Sequence, residues 1–186
     1  MNLILPTKGH LLVAEPSILN DPSFNRSVIL LADHTVKGSL GFILNKPTEF
    51  FLGDFIPEIT DQFPIYNGGP VETDNLYFIH SVPHLIEGSE EIACGIYWGG
   101  DFDKVVDLIK TGKVSINDVQ FFLGYSGWDE QQLEQELEDQ TWVVVENQQG
   151  DKIIGPCCSS LWREVLLELG ESYAVWSNAP ENPHYN

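Results

Sequence analysis

Ser27-Val28-Ile29-Leu30-Leu31-Ala32-Asp33-His34-Thr35-Val36-Lys37-Gly38-Ser39-Leu40-Gly41-Phe42-Ile43-Leu44 decides how this chain folds. Ser27 to Ala32 is a continuous β-rich apolar run, the pattern of a buried strand. Thr35 to Gly38 turns the chain, and Leu40 to Leu44 returns as a second apolar strand. A connection this short joins antiparallel neighbours, so the pair reads as a hairpin. Upstream, His10 to Ala14 reads as a further strand, stopped by Glu15-Pro16. Asn20-Asp21-Pro22 is a turn, because Asn and Asp bond their own backbone and proline fixes φ.

Downstream, Leu52 to Ile56 reads as a short helical piece, and Pro64 to Asn67 leads into a turn at Gly68-Gly69-Pro70. Leu76 to His80, Ile92 to Trp98, Val119 to Leu123, Trp142 to Val145 and Lys152 to Ile154 are strand candidates. Three helices are expected among them. Asp101 caps the first, with Phe102, Val105, Val106 and Ile109 at helical spacing and Gly112 as its stop. Asp129 begins the second, with Gln132 in capping-box register and a thin apolar face of Leu133 and Leu137. Ser159 or Ser160 caps the third, whose face is Leu161, Trp162, Val165, Leu166 and Leu169. Hairpin-linked strands followed by mixed strands and helices give an α+β fold, mostly antiparallel, in one compact domain over residues 1–177. Residues 178–186 read as a loosely held tail.

The composition narrows the function. Of 186 residues, 28 are acidic and 9 basic, a formal charge of −19. Such a chain repels polyanions, and its Lys and Arg form no basic stripe, so direct nucleic-acid binding is disfavoured. No apolar run reaches the length of a membrane span. Met1 to Pro6 does not read as a signal peptide, and three cysteines argue against a disulfide framework. A cytoplasmic location, no membrane association and no cofactor are expected.

Three glycine-bearing blocks are the remaining signal: Gly38 to Pro47, Gly68-Gly69-Pro70-Val71, and Gly124-Tyr125-Ser126-Gly127-Trp128. Each is expected to end a strand and turn the backbone. None has the spacing that chemistry requires. Gly124 to Trp128 places its second glycine one residue too early for a nucleophile elbow, with Trp128 where that glycine belongs. Lys46 is followed by Pro47, which fails the phosphate-loop pattern. His80 and His84 are separated by Pro83, which opposes a shared helical face, and no metal site is assigned. Cys157-Cys158 lacks the Cys-x-x-Cys spacing, although it precedes a helix that could lower a thiol pKa. Filling space is the simpler reading, and Cys94 reads as core. The acidic run from Asp129 to Asp139 reads as a solvated helix face.

Taken in order, these pieces resemble the AlgH-like (YqgE-like) family of largely uncharacterised bacterial proteins. The matching segments are Gly9 to Pro16, Asp21 to Phe24, Arg26 to Ile29, His34, Gly38 to Pro47, Gly68 to Val71, Gly124 to Trp128 and Gln132 to Glu134. The resemblance implies coiled, branching sheets with few helices, and it supplies no catalytic residues. Some relatives bear names that suggest transcriptional regulation. Ser126 stands where relatives commonly have alanine, and Asn182 to Asn186 replaces a more usual glycine-histidine-alanine ending.

Two functions compete on these grounds. The first is a non-catalytic regulatory or protein-interaction role with an unknown protein partner. The second is a small-ligand binder or enzyme whose site gathers polar residues near the glycine blocks: Arg26, His34, Asn45, Lys46, His80 and Tyr125. DNA-binding regulation is a third reading, opposed by the charge.

Overall fold

In the computed structural model the hairpin is β2 (Val28–Thr35) and β3 (Gly38–Ile43), antiparallel with Thr35 opposite Gly38. The structure describes residues 4–16, 18, 21–156 and 160–177. Cys157, Cys158, Ser159 and the expected tail lie outside that set.

β1 (Leu11–Ala14) pairs with β2 on one side and with β10 (Trp142–Val145) on the other. Both faces of β1, β2 and β3 are covered, which is why their sequences are continuous apolar runs. Val13, Val28, Leu30 and Phe42 pack with Leu161, Trp162, Val165 and Leu166 of α4 (Leu161–Glu168). Leu12, Ile29, Leu31 and Ile43 pack the opposite way, with Trp128, Trp142 and Leu133 of α3 (Gln132–Glu138). The Trp162 indole N–H donates to the Ala14 carbonyl at 2.8 Å, tying α4 to β1.

β9 (Val119–Asp129) is the axis of the molecule. Its first half lies between β6 (Val71–His80), antiparallel, and β5 (Pro64–Asn67), parallel. Its second half pairs with β3, with Ser126 opposite Gly41 and Trp128 opposite Ser39. The sheet therefore forks along β9. β4 (Pro47–Phe51) continues one branch beyond β5, while β8 (Ile96–Trp98) and β7 (Glu90–Ala93) extend the other from β6. Side chains alternate across β9. Phe122 enters the core of Phe42 and Tyr66, and Phe121 enters that of Phe63, Phe78 and α2 (Phe102–Lys110). Burying each such ring contributes about 1.5–3 kcal/mol.

The α+β class holds: among the described residues there are ten strands and five α-helices, close to the three expected helices and the short helical piece. α1 (Leu52–Phe55) is the short helical piece read from sequence, and α5 (Glu171–Ser177) is additional. Gly170 restarts the chain there, its carbonyl accepting from the Tyr173 and Ala174 amides. α2 is capped as expected, Asp101 Oδ1 accepting from the Lys104 amide at 3.1 Å.

Four further expectations are corrected. Ile92 to Trp98 is not one strand but the hairpin β7–β8, turning at Cys94 (φ 52°) and Gly95 (φ 83°). Cys94 is therefore exposed at a turn, not core. Lys152 to Ile154 is not a return strand: Gly150–Ile153 forms a 3-10 helix, with Ile153 and Ile154 anchored in the core. Lastly, Gly124 to Trp128 does not end a strand, because β9 runs through it to Asp129. No helix among the described residues is long and apolar enough to cross a membrane.

Candidate functional site

The three glycine blocks meet at one place, where backbone packs on backbone. A Cβ on Gly68 would stand 2.2 Å from the Gly124 carbonyl oxygen, and one on Gly69 would stand 2.3 Å from the Tyr125 carbonyl. A Cβ on Gly124 would lie 2.7 Å from the carbonyl oxygens of both Gly69 and Val71. The Gly68 carbonyl accepts two hydrogen bonds, from the Ile43 amide at 3.0 Å and from the Ser126 hydroxyl at 3.0 Å. Ser126 is fully buried, so its hydroxyl closes this crossing and has no route to act as a nucleophile.

Beside the crossing lies an open groove of about 520 Å³. Its walls come from the β2–β3 hairpin (Asp33, Lys37, Ser39) and from the end of β9 with the start of α3 (Tyr125, Asp129, Gln132). The Tyr125 and Tyr77 rings meet edge to face with centroids 5.7 Å apart. The α3 wall is braced from behind. Glu136 Oε2 accepts both indole N–H groups, Trp128 at 2.8 Å and Trp142 at 2.7 Å, while Gln132 donates to Oε1 at 2.9 Å. Gln132 Oε1 in turn accepts from the Asp129 amide at 3.0 Å, the bond its spacing anticipated, but Asp129 ends β9 rather than beginning the helix, which starts at Gln132.

The six polar residues singled out by sequence fall into separate groups. Arg26, Asn45 and Lys46 belong together, around the segment 21–28. Asn45 Nδ2 donates to the Arg26 carbonyl at 2.8 Å, and its Oδ1 accepts from the Val28 amide at 2.9 Å. Lys46 Nζ donates to the Pro22 and Ser23 carbonyls at 2.9 and 2.6 Å. Burial pushes the Lys46 pKa down, with the Asp21 carboxylate pulling it back up. Arg26 adopts φ 56°, with its guanidinium 5.1 Å above the Trp162 ring centroid. His34 lies at the hairpin, its Nδ1 2.7 Å from Ser39 Oγ. His80 is elsewhere, fully buried on β6 and stacked on Tyr97. Burial lowers its pKa to about 4, the Gly99 backbone acting in the opposite direction. Of the six, Tyr125 alone lines the groove. Among the described residues no three His, Cys, Asp or Glu side chains are grouped to hold a metal ion.

Sequence reasoning missed most of the groove wall. Asp33, Ser39 and Gln132 come together only through the β3–β9 pairing, which no local pattern encodes.

The AlgH-like family model matches residues 11–174, across the forked sheet and the glycine crossing. The chain belongs to the AlgH-like family. Its similarity to curated relatives runs end to end. A UPF0301 protein of Bacteroides fragilis is 39% identical, covering 100% of this chain and 94% of its own length. A UPF0301 protein of Bacteroides thetaiotaomicron is 40% identical with the same coverage. Among solved structures, AlgH of Pseudomonas aeruginosa aligns with a TM-score of 0.71 at 27% identity, covering 97% of this chain and 98% of that one. A Corynebacterium diphtheriae protein aligns with a TM-score of 0.77 at 22% identity over 96% and 95% of the two chains, a likeness of fold. The Gly124 to Trp128 block of this AlgH-like chain is thus a strand interior inside the matched region.

Proposed function

We propose that this AlgH-like protein acts by recognition, in a non-catalytic regulatory or protein-interaction role. One observation carries the reading: three of the polar side chains in the glycine-bearing blocks are engaged in holding backbone. Asn45 and Lys46 bond carbonyl and amide groups of the 21–28 segment, and Ser126 bonds Gly68. Chemistry at a site needs a nucleophile or base free to reach a substrate. Crosslinked pull-down with the full tagged chain from a bacterial lysate should recover a partner protein in stoichiometric amount. Repeated failure to recover one overturns the reading.

The groove supports a second reading, binding of a small ligand against Tyr125. Its volume falls in the range of small-molecule sites. Direct DNA binding has the least support, since a charge of −19 opposes phosphate contact.

A further inference from the structure

Phe50 and Phe55 form an aromatic knuckle on the outer branch of the sheet, beside the exposed Phe51 of the same segment. Phe50, Phe51 and Phe55 are 41%, 38% and 52% exposed, and the Phe50 and Phe55 rings meet edge to face at 5.7 Å. Together these residues leave on the order of 200–300 Å² of surface in water, enough for the anchor of an interface rather than a whole one. Isolated exposed rings need no explanation, but an exposed pair packed on one another, with a third exposed in the same segment, does.

The knuckle stands on a rigid base. Leu52 and Phe63 behind it are buried, and a Cβ on Gly53 would lie 2.6 Å from the Ile59 carbonyl oxygen, so α1 sits tight against the following loop. Asp54 Oδ2 accepts from the Phe51 amide at 2.8 Å and fixes the entry to the helix. A surface already ordered loses little entropy on binding.

Two features select the occupant. The first is backbone. β4 is an edge strand, but it offers little to an added strand: Pro47 has no N–H, the Phe50 amide bonds Thr48 Oγ1 at 3.1 Å, and the Phe51 amide bonds Asp54. Contact must be made through side chains. The second is charge. Residues 47–62 carry Glu49, Asp54, Glu58 and Asp61 and no Lys, Arg or His. A second copy would bring the same acids face to face, and an anionic lipid surface would be repelled.

We infer that the knuckle of Phe50 and Phe55, with Phe51 beside it, docks an amphipathic helical segment of a partner protein, its apolar face flanked by Lys or Arg. This rests on the interaction reading above and names the chemistry of its partner.

The test uses the full chain and a synthetic amphipathic Lys/Leu helix, with a composition-matched scrambled peptide as control. Amide chemical shifts on titration should move around Phe50, Phe51 and Phe55 for the amphipathic peptide and not for the scrambled one. Phe50→Ser/Phe55→Ser should weaken binding at least ten-fold, as should Glu49→Lys/Glu58→Lys, with thermal unfolding verifying both folds. Shifts spread over other acidic surface, or affinity unchanged in both variants, overturn the proposal. So does concentration-dependent dimerisation through the knuckle, or binding of neutral vesicles that Phe50→Ser/Phe55→Ser abolishes. Lysate capture separates the two readings. A partner held equally by wild type and Phe50→Ser/Phe55→Ser removes the knuckle and leaves the interaction role. No partner for either removes that role, and the peptide titration still decides the knuckle.

Discussion

His80 illustrates how a polar residue becomes framework in this protein. Its ring is fully buried, Nδ1 accepts from the Val82 amide at 3.3 Å, and Nε2 has no well-formed hydrogen bond among the described residues. An imidazolium there would need solvation that the core does not supply, so the folded pKa falls from 6.5 to about 4. The unfolded chain takes up a proton as pH drops through its ordinary value, while the folded ring stays neutral. The contribution of His80 is therefore fully present above pH 6.5 and is lost as pH falls from 6.5 to about 4. The loss is at most about 3.5 kcal/mol, from about 1.4 kcal/mol for each unit. His80→Phe keeps a ring of similar volume and removes the titration. In urea melts across this range, the stability of wild type minus that of the variant should decline with falling pH. A difference that stays flat would disprove a buried neutral imidazole.

At the scale of elements, the β5–β6–β9 crossing depends on glycine for space as much as for φ. Gly112 and Gly124 allow the two to be separated, because their φ values are +68° and +69°. A Cβ on Gly112 would meet none of the described residues within 4 Å, whereas one on Gly124 faces carbonyl oxygens at 2.7 Å. Gly112→Ala should cost about 1–2 kcal/mol, the left-handed penalty alone. Gly124→Ala carries that same penalty plus the displacement of two strands, and should cost at least about 3 kcal/mol more or abolish folding. Equal losses in denaturant melts would remove crowding as the reason for this glycine. The same crossing explains what the sequence could and could not reveal. The β2–β3 hairpin, α2 and α4 are legible because local periodicity specifies them, with a side-chain cap at α2 only: Ser160 precedes α4 without capping it. The path of β9 through Gly124 is not, since glycine reads as a stop until its neighbours are known. The surroundings of Cys94 and Lys152 are illegible for a related reason: short apolar runs do not distinguish a strand from a turn anchored by isoleucine. Among the six candidate site residues, sequence locates the Asn45–Lys46 cluster but not its purpose, because the bonds reach 17 to 24 residues back along the chain.

For the whole molecule, charge and recognition act in opposite directions. A formal charge of −19 makes folding compress like charges, and Lys46 turns its ammonium toward carbonyl groups. Self-repulsion of this kind weakens the compact state. Salt shortens its reach, from about 30 Å at 0.01 M to roughly 3 Å at 1 M. Raising sodium chloride across that range should therefore raise the calorimetric unfolding midpoint, on the order of a few degrees. The knuckle should respond with the opposite sign. Its attraction for a basic helix comes partly from Glu49, Asp54, Glu58 and Asp61, and the same screening must weaken it. The aromatic contribution is left, so binding of the Lys/Leu helix should diminish with salt without disappearing. Glu49→Lys/Glu58→Lys should flatten this salt dependence, whereas Phe50→Ser/Phe55→Ser should leave the slope and lower the affinity at every salt concentration. An unfolding midpoint that falls with salt would mean that local ion pairs outweigh the net charge. A peptide affinity indifferent to salt would mean that the acids around the knuckle do not select its partner.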